Sequence, residues 1–271
     1  MGIITQSYQT VHVMKYKPIH LLVLLGFLFL AGQSLAQHTP FRLKVMSFNV
    51  RMSGELTLYS VTPFADLIRQ YNPDMIALQE IDYKVARSNN KDFVTELGAA
   101  LGMFPVFGKA ISSGSGEYGV AVLSKYPFTS IRTELLPKPD GTKEQRAVLI
   151  TEIQFPSGQN LRFASTHLDH SSDAVRSVMA NAVNAYLLKG DMPTVLGGDF
   201  NAKPDESTIA TGMQQWNRIC TDDPTYPNSP TSKIDYLFGY PKTGCRTVSY
   251  QVIRQTNISD HCPIVAEIEF Q

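Results

Sequence analysis

The carboxyl-terminal stretch 259–270 has the sequence SDHCPIVAEIEF and combines a polar pair with the pattern of a β-strand. From Ile264 onward every second residue is apolar, which is typical of a strand with one buried face. The carboxyl group of Asp260 and the imidazole of His261 come just before this strand. The stretch therefore predicts a strand that starts beside a polar site.

Polar side chains also mark the ends of other apolar runs. Four apolar runs end on a polar residue, and these residues are Asn49, Glu80 after Gln79, His167 and Asp199. One further apolar run begins on a polar residue, Asp235. If the runs that begin on a polar residue lie antiparallel to the others, all these groups meet at one edge of the core, where α/β proteins commonly bind ligands. Each residue alone also fits a structural role, such as a turn former, a loop cap or a satisfied core histidine. Because there are several of them, we infer that they converge on one site.

The pattern of helices and strands predicts an α/β domain with two mixed sheets, covering residues 37–271. Helices are expected over 62–71, with Thr62 as the cap, over 92–101 and over 172–188. The expected buried stripe of the third helix is Val175, Val178, Met179, Ala182 and Tyr186. Strands are expected at 43–49, 75–78, 119–123, 147–153, 161–166, 194–196, 234–238, 247–253 and 263–270.

The composition is that of an ordinary globular protein, with 43% hydrophobic and 18% charged residues in a chain of 271. Lys and Arg number 24, as do Asp and Glu, so the formal net charge is zero. A neutral chain has no overall electrostatic attraction to a polyanion, which weighs against a dedicated DNA-binding protein. A local basic groove remains compatible with this total.

The amino-terminal region has the features of a cleavable secretory signal. The run IHLLVLLGFLFL (19–30) follows two lysines, and the small residues Ser34 and Ala36 stand at the positions that a signal peptidase reads. We expect a signal peptide over residues 1–36, with Met14 as an alternative start, and a secreted or periplasmic mature protein. The apolar run is shorter than the roughly 20 residues of a spanning helix. An uncleaved anchor is the alternative interpretation.

Three cysteines are present, an odd number for an exported chain. A disulfide between Cys220 and Cys245 is compatible with an oxidising compartment, although spacing alone does not set its geometry. Cys262 stands at the start of an apolar strand and is expected to be a buried small residue rather than a nucleophile.

Eight ordered segments resemble the motif set of the endonuclease/exonuclease/phosphatase superfamily, the deoxyribonuclease I-like metal-dependent phosphoesterases. The segments are SFNVR (47–51), PDMIALQE (73–80), YGVAVLSK (118–125), EQRA (144–147), THLDH (166–170), GGDFNAKP (197–204), IDY (234–236) and SDHCP (259–263). The resemblance spans nearly the whole mature chain and is specific for the superfamily but not for one member. It implies a four-layer α/β sandwich, in which two packed mixed β-sheets are flanked by helices.

The resemblance also implies a site for a divalent cation. Glu80 would bind the ion, with Asn49 and Asp260 beside it, and oxygen ligands suit Mg²⁺, for which Mn²⁺ can substitute. Asp199 matches the residue that orients or deprotonates the attacking water, and Asn201 the residue that holds it in line.

The remaining motif positions imply contacts to the phosphate. His261 would bind the phosphoryl group, and Asp235 would fix its tautomer and favour its charged form. His167 would make a second phosphate contact or protonate the leaving oxygen. Tyr118 and Arg146 match positions that contact phosphate or support the metal carboxylate.

Only some superfamily members share the second histidine of the THLDH segment. His170, together with Asp169 and the later Arg176, is expected to shape a substrate pocket or a second metal site. A helix-capping or surface role for Asp169 and His170 is the alternative.

We therefore expect a Mg²⁺-dependent phosphodiesterase or phosphomonoesterase that acts on a small or lipid-derived substrate by in-line attack of water. The enzyme is expected to be an exported, bacterial-type monomer without a membrane span after signal cleavage. The first alternative is a secreted nuclease, for which basic residues near the first strand and after Glu80 would line a groove for DNA or RNA. The second is an inactive binding module, which should have lost at least one catalytic residue, whereas all are present.

Overall fold

Two six-stranded mixed β-sheets pack against each other and carry helices on their outer faces. The computed structural model describes residues 2–3, 40–227, 232–255 and 257–271, and residues 40–271 form one compact unit. The predicted signal peptide over 1–36 and the alternative start at Met14 lie outside the described residues, apart from residues 2 and 3.

The first sheet has the strand order β11-β12-β1-β2-β4-β3. Its strands are β1 (Phe41–Asn49), β2 (Met75–Tyr83), β3 (Phe104–Ser113), β4 (Gly116–Ser124), β11 (Cys245–Val252) and β12 (Ile264–Phe270). β1 and β2 are parallel, and β12 lies antiparallel to β1.

The second sheet has the order β5-β6-β7-β8-β10-β9. Its strands are β5 (Phe128–Leu135), β6 (Ala147–Gln154), β7 (Asn160–His167), β8 (Thr194–Asp199), β9 (Asn217–Arg218) and β10 (Asp235–Tyr240). β7 and β8 are parallel, and β10 lies antiparallel to β8. The predicted four-layer α/β sandwich with two mixed sheets is confirmed.

The strand register brings the polar strand ends together. Asp199 at the end of β8 stands opposite Asp235 at the start of β10, and beside His167 at the end of β7. In the other sheet, Ile264 at the start of β12 pairs with Ser47 near the end of β1. The strands that begin on a polar group are thus antiparallel to those that end on one, as the sequence predicts.

Within the described part of the chain, four helices complete the layers: α1 (Thr62–Tyr71), α2 (Phe93–Leu101), α3 (Asp173–Leu187) and the short α4 (Ser207–Ala210). Single turns of 3-10 helix lie at Glu55–Thr57 and Ala86–Ser88, and a helical turn at Arg51–Gly54. The side chains of Asp92 and Ser172 cap α2 and α3 by accepting hydrogen bonds from backbone N–H groups of the first turn. Thr62, predicted as the cap of α1, is instead its first residue.

Apolar side chains fill three layers of core. Val45, Ala77, Val195 and Leu237 belong to the layer between the sheets. A second cluster joins the first sheet to α1 and α2, and a third joins the second sheet to α3. The stripe predicted for α3 is partly wrong, because Val178 is 41% exposed whereas the buried face continues through Val183 and Leu187.

All nine predicted strands are present, and β3, β5 and β9 were missed. Each of the three lies at the edge of its sheet. An edge strand buries less of its surface and tolerates polar residues, so its sequence alternates weakly. β5 illustrates this, since most of its residues are exposed or only partly buried.

Cys220, Cys245 and Cys262 are all buried free thiols, so the compatible disulfide between Cys220 and Cys245 is not formed. Cys262 is 2% exposed, as expected of a small core residue. Among the residues that the structure describes, no helix has the length and apolar character needed to cross a membrane.

Candidate active site

Asp199 lies at the centre of the polar edge and contacts residues from both sheets. Its Oδ2 atom accepts a hydrogen bond of 3.0 Å from the amide of Asn49, and its Oδ1 atom accepts one of 2.9 Å from the backbone N–H of Asn201. Burial raises the pKa of Asp199 to about 7; the nearby charge of Asp235 adds to the rise and that of His261 opposes it. A carboxylate with this pKa is suited to accept a proton near neutral pH.

Glu80 lies in a β-bulge of β2, where the register with β4 shifts between Leu78 and Ile81. Its backbone has a φ of +60°, which is unusual for a residue other than glycine. Its carboxylate accepts hydrogen bonds from the Asn49 amide (3.1 Å) and from the backbone N–H of Met52 (3.1 Å). The bulge thus turns the Glu80 side chain towards the polar edge.

Asn49 orients the carboxylates of Glu80 and Asp199. Its Nδ2 atom donates to both Glu80 and Asp199, and its Oδ1 atom accepts the backbone N–H of Arg51 at 3.0 Å. Two acceptors on one side fix the orientation of an amide. The structure therefore shows Asn49 orienting the carboxylates of Glu80 and Asp199, and its place beside the ion stays a prediction.

Asp260 is mostly buried and has one engaged oxygen. Its Oδ2 atom forms an ion pair with Nη1 of Arg51, whereas its Oδ1 atom is buried without a hydrogen-bond partner among the described residues. An unpaired buried carboxylate oxygen is costly unless a cation or water meets it. This oxygen is therefore available to a metal ion.

His261 forms a buried ion pair with Asp235. Its Nδ1 atom lies 3.0 Å from Oδ2 of Asp235, and its Nε2 atom lies 3.7 Å from Oδ2 of Asp199. Burial opposes the charged form, but the carboxylates of Asp235 and Asp199 outweigh it and raise the pKa of His261 to about 10. The imidazole is therefore positively charged at neutral pH.

His167 is held in the opposite protonation state. Arg146 Nη1 lies 3.2 Å from its Nδ1 atom, and Nδ2 of Asn201 lies 3.0 Å from its Nε2 atom, so donor groups face both ring nitrogens. Both contacts disfavour the doubly protonated, charged ring. That Nε2 atom lies 3.4 Å from Oδ2 of Asp199. Burial and the charge of Arg146 lower the pKa of His167 well below its usual value. Asn201 lies beside the ring and donates to the carbonyl oxygen of Leu168 at 3.0 Å.

Tyr118 lies on the same part of the polar edge as Glu80. Tyr118 is 7% exposed, and burial raises its pKa well above the usual value, so its hydroxyl remains a donor. The guanidinium of Arg87 lies 5.4 Å from the centre of its ring. Arg87 is in turn fixed by two hydrogen bonds, of 2.9 and 2.7 Å, to the fully buried Asp82.

These side chains line a polar cleft of about 340 Å³. The lining residues are Glu80, Tyr118, Arg146, His167, His170, Asp199, Asn201, Tyr226, Ile234, Asp260 and His261. Tyr226 and Ile234 were not predicted. Tyr226 packs on the ring of His261 at a centroid distance of 5.0 Å, and no periodicity or motif in the sequence signals such a contact.

The second half of the THLDH segment is divided between two roles. His170 lines the cleft and is exposed. Asp169 is fully buried, so the surface role considered for it is wrong: its carboxylate accepts the backbone N–H groups of Lys143 (3.1 Å), Glu144 (2.9 Å) and Ser171 (2.9 Å). Asp169 thereby holds the segment that leads to the cleft residue Arg146.

Arg176 is not brought to the cleft. It lies on the buried face of α3 and forms an ion pair of 3.1 Å with Glu206. The expected contribution of Arg176 to a phosphate site gains no support from this arrangement.

A sequence profile described as the Endonuclease/Exonuclease/phosphatase family matches residues 46–261, which span the whole cleft. The chain belongs to the endonuclease/exonuclease/phosphatase family. Members of this family are phosphoester hydrolases that generally depend on a divalent metal, and the chain is assigned to this class of enzyme.

Solved structures of low sequence identity share the fold of this family member. An endonuclease/exonuclease/phosphatase family protein from Bacteroides thetaiotaomicron is 18% identical with a TM-score of 0.72, over 86% of this chain and 96% of that chain. A mannosyl-6-phosphatase from the same organism is 18% identical with a TM-score of 0.68, over 83% and 99%. The catalytic domain of human Nocturnin, with a bound sulfate anion, is 18% identical with a TM-score of 0.65, over 85% and 95%.

Two groups of side chains in the cleft are candidates to hold the metal. Ligand atoms of Asp199, Asp235 and His261 lie within 4.8 Å of one another, but they already form ion pairs around a positively charged imidazole, which repels a cation. Glu80 and Asp260 instead offer oxygen atoms, one of which is buried without a partner among the described residues. This donor set fits a hard divalent cation better.

Proposed function

We propose that the protein is an exported, divalent-metal-dependent phosphoesterase that hydrolyses a phosphodiester or phosphomonoester of a small or lipid-derived substrate by in-line attack of water. The observation that carries this proposal is the position of Asp199, between a charged imidazole, a neutral imidazole and the amide that also orients Glu80. A proton acceptor and several groups that stabilise a phosphate are thus within reach of one point in the cleft.

Asp199 is assigned as the group that accepts the proton of the attacking water. With a pKa of about 7, a substantial fraction is ionised at neutral pH while the carboxylate remains basic enough to accept a proton. Asn201 fixes one oxygen of this carboxylate through its backbone N–H group. The other oxygen, Oδ2, lies on the side of both histidines and is assigned to the water.

The two histidines are assigned different tasks. His261 carries a positive charge that stabilises the negative charge on the phosphoryl oxygens, and Asp235 maintains that charge. The lowered pKa keeps His167 neutral, and its ring lines the cleft beside Asp199, so we assign it as a phosphate contact. Of the two roles predicted for His167, the phosphate contact is therefore preferred over protonation of the leaving oxygen.

The cation is assigned to Glu80 and Asp260, with Mg²⁺ as the expected ion and Mn²⁺ as a substitute. When bound, it would draw negative charge from a phosphate oxygen and stabilise the leaving group. Asn49 and the backbone N–H of Met52 hold Glu80 in place for it. Arg146 and Tyr118 are assigned as further donors along the phosphate path.

Three features support a small substrate and an exported enzyme. The cleft measures about 340 Å³, which suits a phosphate with a compact substituent. The net charge of zero offers no general attraction to nucleic acid. The apolar run with preceding lysines and the small residue Ala36 support export of the enzyme to the periplasm or the medium.

The test compares three substrates with the purified protein, each with Mg²⁺ and with excess chelator. Hydrolysis of p-nitrophenyl phosphate or bis(p-nitrophenyl) phosphate that is abolished by chelator is the expected result. Plasmid nicking at low salt, if it were much faster than either, would favour the nuclease alternative. A complete lack of turnover in a broad phosphoester panel would favour the inactive binding module.

A further inference from the structure

The turn that follows β1 contacts all three side chains around the assigned cation site. The backbone N–H of Arg51 donates to Asn49, and the backbone N–H of Met52 donates to Glu80 at 3.1 Å. The guanidinium of Arg51 pairs with Asp260. A single turn of chain, residues 51–54, therefore touches every residue of this site.

The backbone of this turn is held in a strained and fixed form. Arg51, Met52 and Ser53 have φ angles of +47°, +43° and +58°, in the left-handed region that residues with a side chain avoid. The Ser53 hydroxyl is anchored to the backbone of Asp82, from whose N–H group it accepts a hydrogen bond of 2.7 Å. A backbone locked in this way leaves the Arg51 side chain as the part of the turn that can change position.

Arg51 is shared between two carboxylates. Its Nε atom donates to Glu55 at 2.8 Å, one helical turn along the chain, while its Nη1 atom pairs with Asp260. The Arg51 side chain is 33% exposed and that of Asp260 is 14% exposed. Arg51 can therefore release Asp260 and remain paired with Glu55 at low cost.

We propose that Arg51 competes with the divalent cation for Asp260. This inference rests on the proposed function, because it takes Glu80 and Asp260 as the cation ligands. A guanidinium and a divalent cation repel each other, and each is attracted to the same carboxylate, so binding of one weakens binding of the other. Arg51 thus lowers the metal affinity of the site, and when displaced from Asp260 it stays paired with Glu55 through its Nε atom.

The experiment measures Mn²⁺ binding to the full chain directly, by the loss of the electron paramagnetic resonance signal of free Mn²⁺. Arg51→Gln is expected to bind Mn²⁺ roughly fivefold more tightly than the wild type, the scale of a partly exposed ion pair. Arg69→Gln removes the same charge from an exposed pair with Asp66 on α1 and should leave the affinity unchanged. Unchanged or weaker binding by Arg51→Gln would overturn the inference.

A second comparison tests whether Arg51 acts through its contact with Asp260 or only through its positive charge. The Arg51→Gln change is repeated in an Asp260→Asn background, where the carboxylate that the two cations share is gone. The gain in Mn²⁺ affinity should then largely disappear. A gain in Mn²⁺ affinity of the same size in both backgrounds would show that Arg51 acts only through its long-range electrostatic field. That result would overturn the proposed competition for Asp260.

The failures of the two proposals are distinguishable. If the wild type binds no Mn²⁺, the proposed metal site fails and the role of Arg51 fails with it; if the wild type binds but Arg51→Gln is unchanged, only the role of Arg51 fails. Circular dichroism checks folding. Should Arg51→Gln not fold, the neutral Arg51→Met is measured in its place, with tighter binding expected and unchanged or weaker binding contradicting the inference.

Discussion

Asn49, at the end of β1, donates a hydrogen bond of 3.0 Å to Asp199, at the end of β8, and so joins the two sheets at the cleft. The same amide donates to Glu80 at 3.1 Å. The assigned metal carboxylate and the assigned proton acceptor are therefore held at a fixed separation by one side chain.

Asp199→Asn is expected to lower kcat by roughly 10²- to 10⁴-fold, the range of general acid–base catalysis, because an amide cannot accept the proton of water. The hydrogen bond from the backbone of Asn201 can persist, so the fold should be retained. Steady-state kinetics and circular dichroism check both points. The matched control is Asp205→Asn, an exposed position nearby; a near-normal rate for Asp199→Asn would refute its assignment.

The pH dependence of kcat/KM should report Asp199 and His261. Activity should rise with pH through about 7 as Asp199 loses its proton, and fall near 10 as His261 loses its own. Asp235→Asn removes a carboxylate that raises the pKa of His261, so the alkaline fall should move to lower pH. An alkaline limb at the same pH in wild type and variant would contradict the role of Asp235.

Arg87→Gln is expected to destabilise the protein by about 1–3 kcal/mol, because it leaves the fully buried carboxylate of Asp82 without its charged partner. Chemical denaturation measures the free energy of unfolding. The double variant Asp82→Asn with Arg87→Gln should recover part of the loss. Arg69→Gln breaks an exposed ion pair with Asp66 and an exposed hydrogen bond to the carbonyl of Ala100, so it should cost less, about 1 kcal/mol.

Gly197→Ala should destabilise the fold by about 1–3 kcal/mol through overpacking between the sheets. A Cβ atom at this position would lie 2.8 Å from Cβ of Ala77 and 3.2 Å from Cβ of Ser47, both on the opposite sheet. Because Asp199 is two residues further along β8, activity should fall as well. Gly244→Ala, whose nearest neighbours lie 3.7 Å away, is the control and should be tolerated.

The sequence predicts the central strands and their polar ends because both leave a local pattern. The run 43–49 is almost entirely buried and the run 263–270 alternates along its second half, and the site residues lie at the ends of these runs. The edge strands β3, β5 and β9 lack that pattern, since exposure permits polar residues. The α3 stripe was misplaced because Arg176 and Asn184 lie on its buried face, where their polar groups pair with Glu206 and Gly212.

Side-chain partners across the fold could not be predicted in the same way. The orienting role of Asn49, the neutral state of His167 and the packing of Tyr226 on His261 each depend on contacts between residues far apart in the chain. Residue type alone does not show that one Asn49 amide donates to carboxylates from both sheets. The burial of Asp169 could not be predicted for the same reason, since two of the groups that it binds are backbone N–H groups 25 and 26 residues away in the chain.

The pairing of Asp199 with Asp235 across β8 and β10 also limits how this chain can vary over evolutionary time. Inserting or deleting a single residue inside either strand would turn its side chains to the opposite face and carry one carboxylate out of the cleft. Connections between strands are free of this restriction, because lengthening them leaves the pairing intact. Descendants of this gene should therefore acquire new substrates through loops of altered length around the cleft, while strand lengths stay constant.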